Sequence, residues 1–346
     1  MQKRIQYLDI AKGIGILLVV LGHNDIRVFH PTLHYIIFSF HVPLFFFLSG
    51  MFFKPERPLK EIATKRFNTL MKPLIFIILL IYGIPFFFGK MGLEVVIGRL
   101  LKSLFMTGPY LNWEQLWFLP ALFVINIYAF VFYRLTKPVQ KDLLRWLVLL
   151  LSLWVGTLWL PHMWTFDFTI MGRSFSTYGL PASIDLALIG GFFFILGREL
   201  YQHLPENFFA SKIVLLASAT VFFGMAFTFN LPVDLNTRLY PSWTINTLQA
   251  VAGIIFTLSV SWQIEFYTEK ATRFFSYIGA LTLPILLFHV PIEEMVTNKI
   301  IGYIGANDLT LLISFIAGVF LPIFIHEFFI MPNPKVGAWF GVKSTA

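Results

Sequence analysis

The residue pair with the clearest chemical potential is Lys12 and His23, which enclose the apolar stretch GIGILLVVLG. These ten residues span about 15 Å of helix, half of the roughly 30 Å hydrocarbon layer of a membrane. At least one of the two ionisable groups must therefore lie at membrane depth. Their spacing is close to three helical turns, so both side chains project from one stripe. An imidazole held in this way is suited to act as a general base on a hydroxyl.

Other polar groups in apolar segments are expected at the same two levels. In the outer half, the level of His23, we expect an imidazole and aromatic cluster of His41, Trp117 and His289. At the inner level, near Lys12, we expect Ser49, Gly50, Arg66, Lys72 and Arg198. A basic collar suits a phosphate-rich ligand, because Arg and Lys donate charge-assisted hydrogen bonds to phosphate. The pattern indicates acyl transfer from a nucleotide-bearing donor to a hydroxyl presented from the other side.

Several of these residues have a second interpretation. His23 could end a helix at the lipid headgroups, and His41 and His289 could be structural histidines. Trp117 could belong to an aromatic belt at the membrane interface. Asp9 is a candidate acceptor-binding residue, but it is also placed to pair with Lys12 one turn on or to cap the first helix. Arg66 and Lys72 could instead serve only to set the orientation of the chain in the membrane, since cytoplasmic loops are rich in basic residues.

Composition places the chain among multi-pass membrane proteins. Hydrophobic residues make up 57% of the 346 positions and charged residues only 13%, about half the share in soluble domains. Cysteine is absent, so disulfides and thiolate chemistry are excluded. The net charge of +8 fits basic cytoplasmic loops better than nucleic-acid binding. We expect no metal site, since no residue pair has the usual ligand spacing on a helix.

Hydrophobic segments long enough to cross a membrane recur along the whole chain. Ten spans are predicted, at about 8–28, 33–53, 71–89, 116–134, 144–160, 184–200, 212–230, 245–262, 278–297 and 309–328. If both termini are cytoplasmic, the inner segments hold 19 of the 26 lysines and arginines, which predicts that orientation. The predicted fold is an all-α integral membrane protein, a single bundle of about ten helices in the cytoplasmic (inner) cell membrane. Its domain covers 5–330, and 331–346 is a short cytoplasmic tail.

Four stretches resemble the acyltransferase-3 superfamily, in its fucose 4-O-acetylase-like and intercellular-adhesin-type branch. They are RIQYLDIAKGIGILLVVLGH (4–23), FHVPLFFFLSG (40–50), LWFLPAL (116–122) and LPILLFHVP (283–291). The first has the family's spacing of a basic residue, ten residues and a histidine, with Lys12 where arginine is commoner. Two departures are Met51, where phenylalanine often follows the Ser-Gly pair, and Leu70, where many members have an arginine.

The resemblance implies transfer of acetyl, sometimes succinyl, from cytoplasmic acyl-CoA to hydroxyls of surface polysaccharides or lipid-linked sugars of the cell envelope. His23 would be the catalytic residue, as general base or as carrier of the acyl group. Lys12 would face CoA, and Ser49 and Gly50 match the family's Ser-Gly pair. The expected co-substrate is acetyl-CoA, and the expected partners are the sugar acceptor and membrane lipids, not nucleic acid.

A different class of protein also fits part of this pattern. An exporter or flippase of polysaccharide or lipid-linked sugar would carry polar midplane groups and proline-broken helices without any acyl-transfer chemistry. An acyltransferase is favoured for two reasons: the sequence has no clear internal repeat, and Lys12 and His23 lie on one stripe of a helix. The expected enzyme transfers acyl groups other than amino-acyl groups.

Overall fold

The computed structural model describes residues 6–138, 142–170, 172–205 and 207–341. Helices form nearly all of the regular structure in these ranges. The α-helices are α1 Gln6–His23, α2 Ile26–Phe29, α3 Pro31–Phe38, α4 His41–Gly50, α5 Leu59–Arg66, α6 Lys72–Phe87, α7 Leu93–Ser103, α8 Phe118–Leu135, α9 Asp142–Trp159, α10 Ala187–His203, α11 Lys212–Phe229, α12 Ile245–Tyr267, α13 Glu269–Ala280, α14 Thr282–Ile304, α15 Asp308–Ile325 and α16 Pro334–Gly337. Short 3₁₀ or π turns lie at Phe67–Met71, Gly108–Tyr110, Glu114–Trp117, Leu160–Met163, Pro181–Leu186, Phe208–Ala210, His326–Ile330 and Ala338–Phe340.

Eight helical segments in the described ranges are long and apolar enough to cross a membrane. They correspond to eight of the ten predicted spans: Gln6–His23, Pro31–Gly50, Leu59–Phe87, Glu114–Leu135, Asp142–Met163, Lys212–Phe229, Ile245–Tyr267 and Asp308–Ile330. Helices α13 and α14 together give a ninth candidate, bent by 77° at its break. The remaining predicted span, 184–200, corresponds to α10, which at 17 residues is about 26 Å long. The prediction of an all-α integral membrane protein is confirmed.

The second predicted span is not one continuous helix. Helix α3 ends at Phe38 and α4 begins at His41, so Ser39 and Phe40 interrupt the segment. Pro43 therefore lies in the first turn of α4, where a missing backbone N–H costs little. The span predicted at 33–53 would place Pro43 inside a continuous helix. That expectation is wrong, because the helix breaks before Pro43.

One β-hairpin is present in the described ranges, and the sequence pattern did not predict it. Strands β1 Phe166–Ile170 and β2 Arg173–Thr177 pair antiparallel between the fifth and sixth predicted spans. Gly172, in the connecting turn, has φ +75°, a left-handed conformation that glycine adopts without steric cost.

The chain divides into two compact units, which we describe separately. The first contains 1–53, 193–234 and 240–325, and the second contains 54–192, 235–239 and 326–346, in each case as far as these residues are described. In the first unit, α1 is packed by α13, α14 and α15 around Val20, Ile285 and Val319, all at most 1% exposed. The prediction of a domain at 5–330 with a separate tail stays a prediction.

The second unit has a fully buried ion pair. Arg238 Nε lies 2.7 Å from Asp185 Oδ2, and both side chains have no exposed surface. Arg238 also donates to the carbonyl oxygen of Asn236 at 2.7 Å. Near the C-terminus, the ring of Phe340 packs against Phe76 of α6 at a centroid distance of 5.3 Å, so the described part of the predicted tail is folded onto this unit.

Two glycines allow α4 and α10 to approach closely in the first unit. A Cβ on Gly50 would lie 1.8 Å from the carbonyl oxygen of Phe194, and a Cβ on Gly197 would lie 2.1 Å from that of Phe47. Both neighbours are backbone atoms, which cannot rotate away. The contact is thus reciprocal, as in other membrane helix pairs that meet through small residues.

Gly50→Ala should destabilise the protein, because the new methyl group must push the two helix backbones apart. We expect a loss of about 1–3 kcal/mol, the usual range for overpacking, measured as a lower thermal unfolding midpoint in detergent. Gly83→Ala in α6 is the matched control, since a Cβ there meets nothing within 4 Å. Equal unfolding midpoints for the two variants would contradict the close contact.

Candidate active site

His23 is the last residue of α1 and its side chain is exposed. Its Nδ1 lies 3.0 Å from the carbonyl oxygen of Val19, one turn earlier. A carbonyl oxygen can only accept a hydrogen bond, so Nδ1 carries the hydrogen of the neutral ring. The lone pair is then on Nε2. This is the arrangement that a general base needs.

Two further histidines are held in the same way. His41 Nδ1 lies 2.9 Å from the carbonyl oxygen of Ile37, and His289 Nδ1 lies 2.9 Å from that of Ile285. His41 is 2% exposed and His289 is fully buried. The Nε2 atom of His289 has no hydrogen-bond partner among the described residues. His23 and His289 are thus tied to their own helices through Nδ1, and His41 at the start of α4 is tied to α3; each ring has its lone pair on Nε2.

The first unit brings these rings together. The rings of His23 and His289 meet edge to face at a centroid distance of 5.3 Å. Phe38 packs against three imidazoles, with centroid distances of 6.0 Å to His23, 4.0 Å to His34 and 4.8 Å to His41. We call the four histidines and Phe38 the histidine cluster. The cluster contains His23, His41 and His289, for which the sequence predicted a common depth in the membrane.

The histidine cluster includes one member that sequence reasoning missed. His34 precedes His41 by seven residues, two helical turns, and this spacing could have identified it. Its ring stacks on Phe38. A second missed residue is Glu293, which follows His289 by one turn and is only 4% exposed. Glu293 falls within the predicted span 278–297, and an acidic residue inside a predicted span was the available signal.

Asn24 fixes the chain directly after His23. Its Nδ2 donates to the carbonyl oxygen of Leu311 and to Oγ of Ser314, both at 3.0 Å. Its Oδ1 accepts from the backbone N–H of Asp25 at 2.7 Å. Asn24 therefore anchors the end of α1 to α15.

The predicted inner group of the first unit consists of paired charges and tightly packed small residues. Lys12 Nζ lies 3.1 Å from Asp9 Oδ1, which confirms the predicted pairing of these residues. Arg198 lies 2.9 Å from a carboxylate oxygen of Glu199. Gly50 is buried in the contact with α10, and its neighbour Ser49 is partly exposed. The close approach of α4 and α10 is sufficient reason for a glycine at position 50.

Three predicted site residues belong to the second unit. Arg66 donates through Nε to Oδ1 of Asn126 at 2.8 Å, and Asn126 is fully buried. Lys72 begins α6 and is partly buried. Trp117 is 5% exposed, so the alternative of a lipid-facing belt residue does not describe it. That these three residues act together with His23 stays a prediction.

The histidine cluster does not make a metal site. No group of three or more His, Cys, Asp or Glu side chains in the described parts of the chain is arranged to hold a metal ion. The Nδ1 atoms of three of the histidines are already bonded to backbone carbonyls. The arrangement is suited to proton transfer and to hydrogen bonding with hydroxyl groups.

Comparison with known proteins gives the family. A family model described as an acyltransferase domain, that of the acyltransferase-3 family, matches residues 5–327. The chain therefore belongs to the acyltransferase-3 family, and with its many apolar helices it is an integral, multi-pass membrane acyltransferase. Comparisons with curated proteins and with solved structures found no match.

Asn24→Ala should loosen the end of α1 that carries His23. Three hydrogen bonds are lost, two of them buried contacts with α15, so we expect destabilisation of about 1–3 kcal/mol with reduced acyl transfer. Thermal unfolding and turnover are the measurements. Asn112→Ala, at an exposed position, is the control. If both variants behave like the parent protein, Asn24 does not anchor the helix end.

Proposed function

We propose that this protein is an O-acetyltransferase of the inner cell membrane. It moves an acetyl group, or a succinyl group, from cytoplasmic acyl-CoA to a hydroxyl of a surface polysaccharide or lipid-linked sugar. The observation that carries the proposal is His23: its Nδ1–H is bonded to Val19, its side chain is exposed and its ring contacts that of His289. Membership of the acyltransferase-3 family supports acyl transfer over export without chemistry.

In the proposed reaction, His23 Nε2 accepts the proton of the acceptor hydroxyl. The oxygen attacks the thioester carbonyl, a C–O bond forms and the C–S bond breaks. The imidazolium of His23 then returns the proton to the CoA thiolate, so that the products are the sugar ester and free CoA. A positioned base contributes on the order of 10²–10⁴-fold to such a step. Alignment of the thioester carbonyl with the hydroxyl supplies much of the rest.

The remaining site residues divide into two proposed groups. The donor group would bind the phosphates and thioester of acyl-CoA, and the acceptor group would position the sugar. Paired cations can exchange a carboxylate for a phosphate, because both accept charge-assisted hydrogen bonds from lysine and arginine. The donor group is Lys12, Ser49, Gly50, Arg66, Lys72 and Arg198, and the acceptor group is Asp9, His41, Trp117 and His289.

His23→Gln tests the proposal most directly. Glutamine retains a polar side chain but cannot act as a base near neutral pH, so we expect acetyl transfer to fall by about 10²–10⁴-fold. Transfer is measured with radiolabelled acetyl-CoA and methyl glycosides in purified protein. His162→Gln, at an exposed position outside the predicted spans, is the matched control and should retain activity.

Two results would contradict the proposed function. Undiminished transfer by His23→Gln would remove His23 from the chemistry. Tight saccharide binding by the parent protein, with neither acetyl transfer nor acetyl-CoA hydrolysis, would instead identify an exporter. Mass spectrometry of surface glycans from cells with and without the protein provides an independent check on acylation.

A further inference from the structure

Glu293 is a buried carboxyl group without a partner. It is 4% exposed, and neither of its oxygens has a hydrogen-bond partner among the described residues. Buried polar atoms are nearly always hydrogen-bonded, since an unmade hydrogen bond is costly away from water. His289 Nε2, one turn earlier on α14, also has no hydrogen-bond partner among the described residues. Two adjacent side chains of one helix face therefore both lack a partner.

The Glu293 carboxyl lies beside the end of α1. Helical side chains lean toward the N-terminus of their helix, which directs Glu293 back toward the level of His289. A Cβ on Gly318 would lie 2.6 Å from Glu293 Cγ and 3.1 Å from Cγ1 of Val20. Val20 precedes His23 by less than one turn. The glycine at position 318 thus leaves the space that the glutamate occupies between α1, α14 and α15.

The surrounding charges do not offer Glu293 a cation. The groups that interact with it electrostatically are Asp25 and Glu294, both acidic. The described residues contain no salt bridge to Glu293. Its missing partner is therefore a hydrogen-bond donor that the described residues do not supply. His289 Nε2 has the same requirement, because the Nδ1 hydrogen already bonds to α14 and Nε2 presents only a lone pair.

We propose that Glu293 and His289 together bind the acceptor hydroxyl adjacent to the one that is acylated. This inference depends on the proposed function and adds a substrate class to it: saccharides with two neighbouring hydroxyl groups. One hydroxyl gives its proton to His23. Its neighbour shares its single hydrogen between Nε2 of His289 and one carboxyl oxygen of Glu293, as a bifurcated hydrogen bond. An alcohol with a single hydroxyl would leave both acceptor atoms unsatisfied, so it would be a poor substrate.

Glu293→Gln tests this role against Glu294→Gln. Both changes replace a carboxyl group by a carboxamide, but Glu294 is exposed and lies outside the site. We expect the KM for a methyl glycoside acceptor to rise about 10- to 100-fold in Glu293→Gln, because the amide offers one acceptor oxygen where the carboxyl group has two oxygens, and an unmade hydrogen bond in a buried site has about this cost. The KM for acetyl-CoA and the slow hydrolysis of acetyl-CoA without acceptor should not change. Glu294→Gln should match the parent protein.

Deoxy acceptors test the same contact without altering the protein. A methyl glycoside that lacks the hydroxyl next to the acylated one should react about 10- to 100-fold less well with the parent protein. With Glu293→Gln, the same deletion should cost less, because the hydrogen bond is already weakened; this non-additivity identifies a direct contact. Additive losses, or deoxy acceptors that react normally, would overturn the proposal.

The outcomes separate this inference from the proposed function. A parent protein that neither transfers nor hydrolyses acetyl groups contradicts the acyltransferase proposal itself. A parent protein that transfers normally, with Glu293→Gln unchanged, contradicts only the role of Glu293. Loss of hydrolysis and transfer together in a folded Glu293→Gln protein would also overturn acceptor binding. If that variant does not fold, the deoxy acceptors decide.

Gly318→Ala should act through Glu293. Its methyl group would overlap Glu293 Cγ, so the carboxyl must move, and we expect the acceptor KM to rise while acetyl-CoA hydrolysis persists. Gly302→Ala on α14 is the control, because a Cβ there meets nothing within 4 Å. Comparing the acceptor KM of the two variants gives the measurement. An unchanged KM in Gly318→Ala would show that the position of Glu293 does not matter.

Discussion

A hydrogen bond from an imidazole to the carbonyl one turn earlier is the interaction on which the site depends. A ring nitrogen that carries hydrogen is costly in an apolar region unless it is bonded, and a helix carbonyl has a second lone pair to offer. His23, His41 and His289 all use this bond. It fixes the tautomer of each ring, and it frees Nε2 for a substrate. The helices thus supply both the position and the protonation pattern of the histidine cluster.

Close contacts between helix backbones bring the cluster together. A Cβ on Gly13 would lie 2.2 Å from the carbonyl oxygen of Phe275, and one on Gly279 would lie 1.9 Å from that of Asp9, so α13 packs directly on α1. The 77° bend that follows starts α14 beside the same helix. His289, two turns into α14, then meets His23. Larger side chains at these glycines would separate the two histidines that the proposed chemistry requires.

Local pattern predicted the apolar spans and the common level of His23, His41 and His289, because hydrophobic length and residue spacing determine depth in a membrane. It did not predict the break at Ser39 and Phe40, which depends on tertiary packing. Glu293 and the buried pair of Arg238 with Asp185 were missed for the same reason: their surroundings come from segments distant in sequence. A single sequence shows that such charges exist, but not what they face.

Whether the unpartnered atoms of a site are hydrogen-bond donors or acceptors determines which ligand the site can bind. Nε2 of His289 in the cluster and the two oxygens of neighbouring Glu293 are buried without a partner among the described residues and can accept hydrogen bonds, and nearby Asp25 adds negative charge. A phosphate brings further negative charge and few donors, so it is disfavoured here. A sugar brings several hydroxyl donors. Lys12 and Arg198, by contrast, are donors paired with the carboxylates of Asp9 and Glu199. Complementarity therefore favours the proposed arrangement, with the hydroxyl-rich substrate at the histidines and the phosphate-bearing one at the cations.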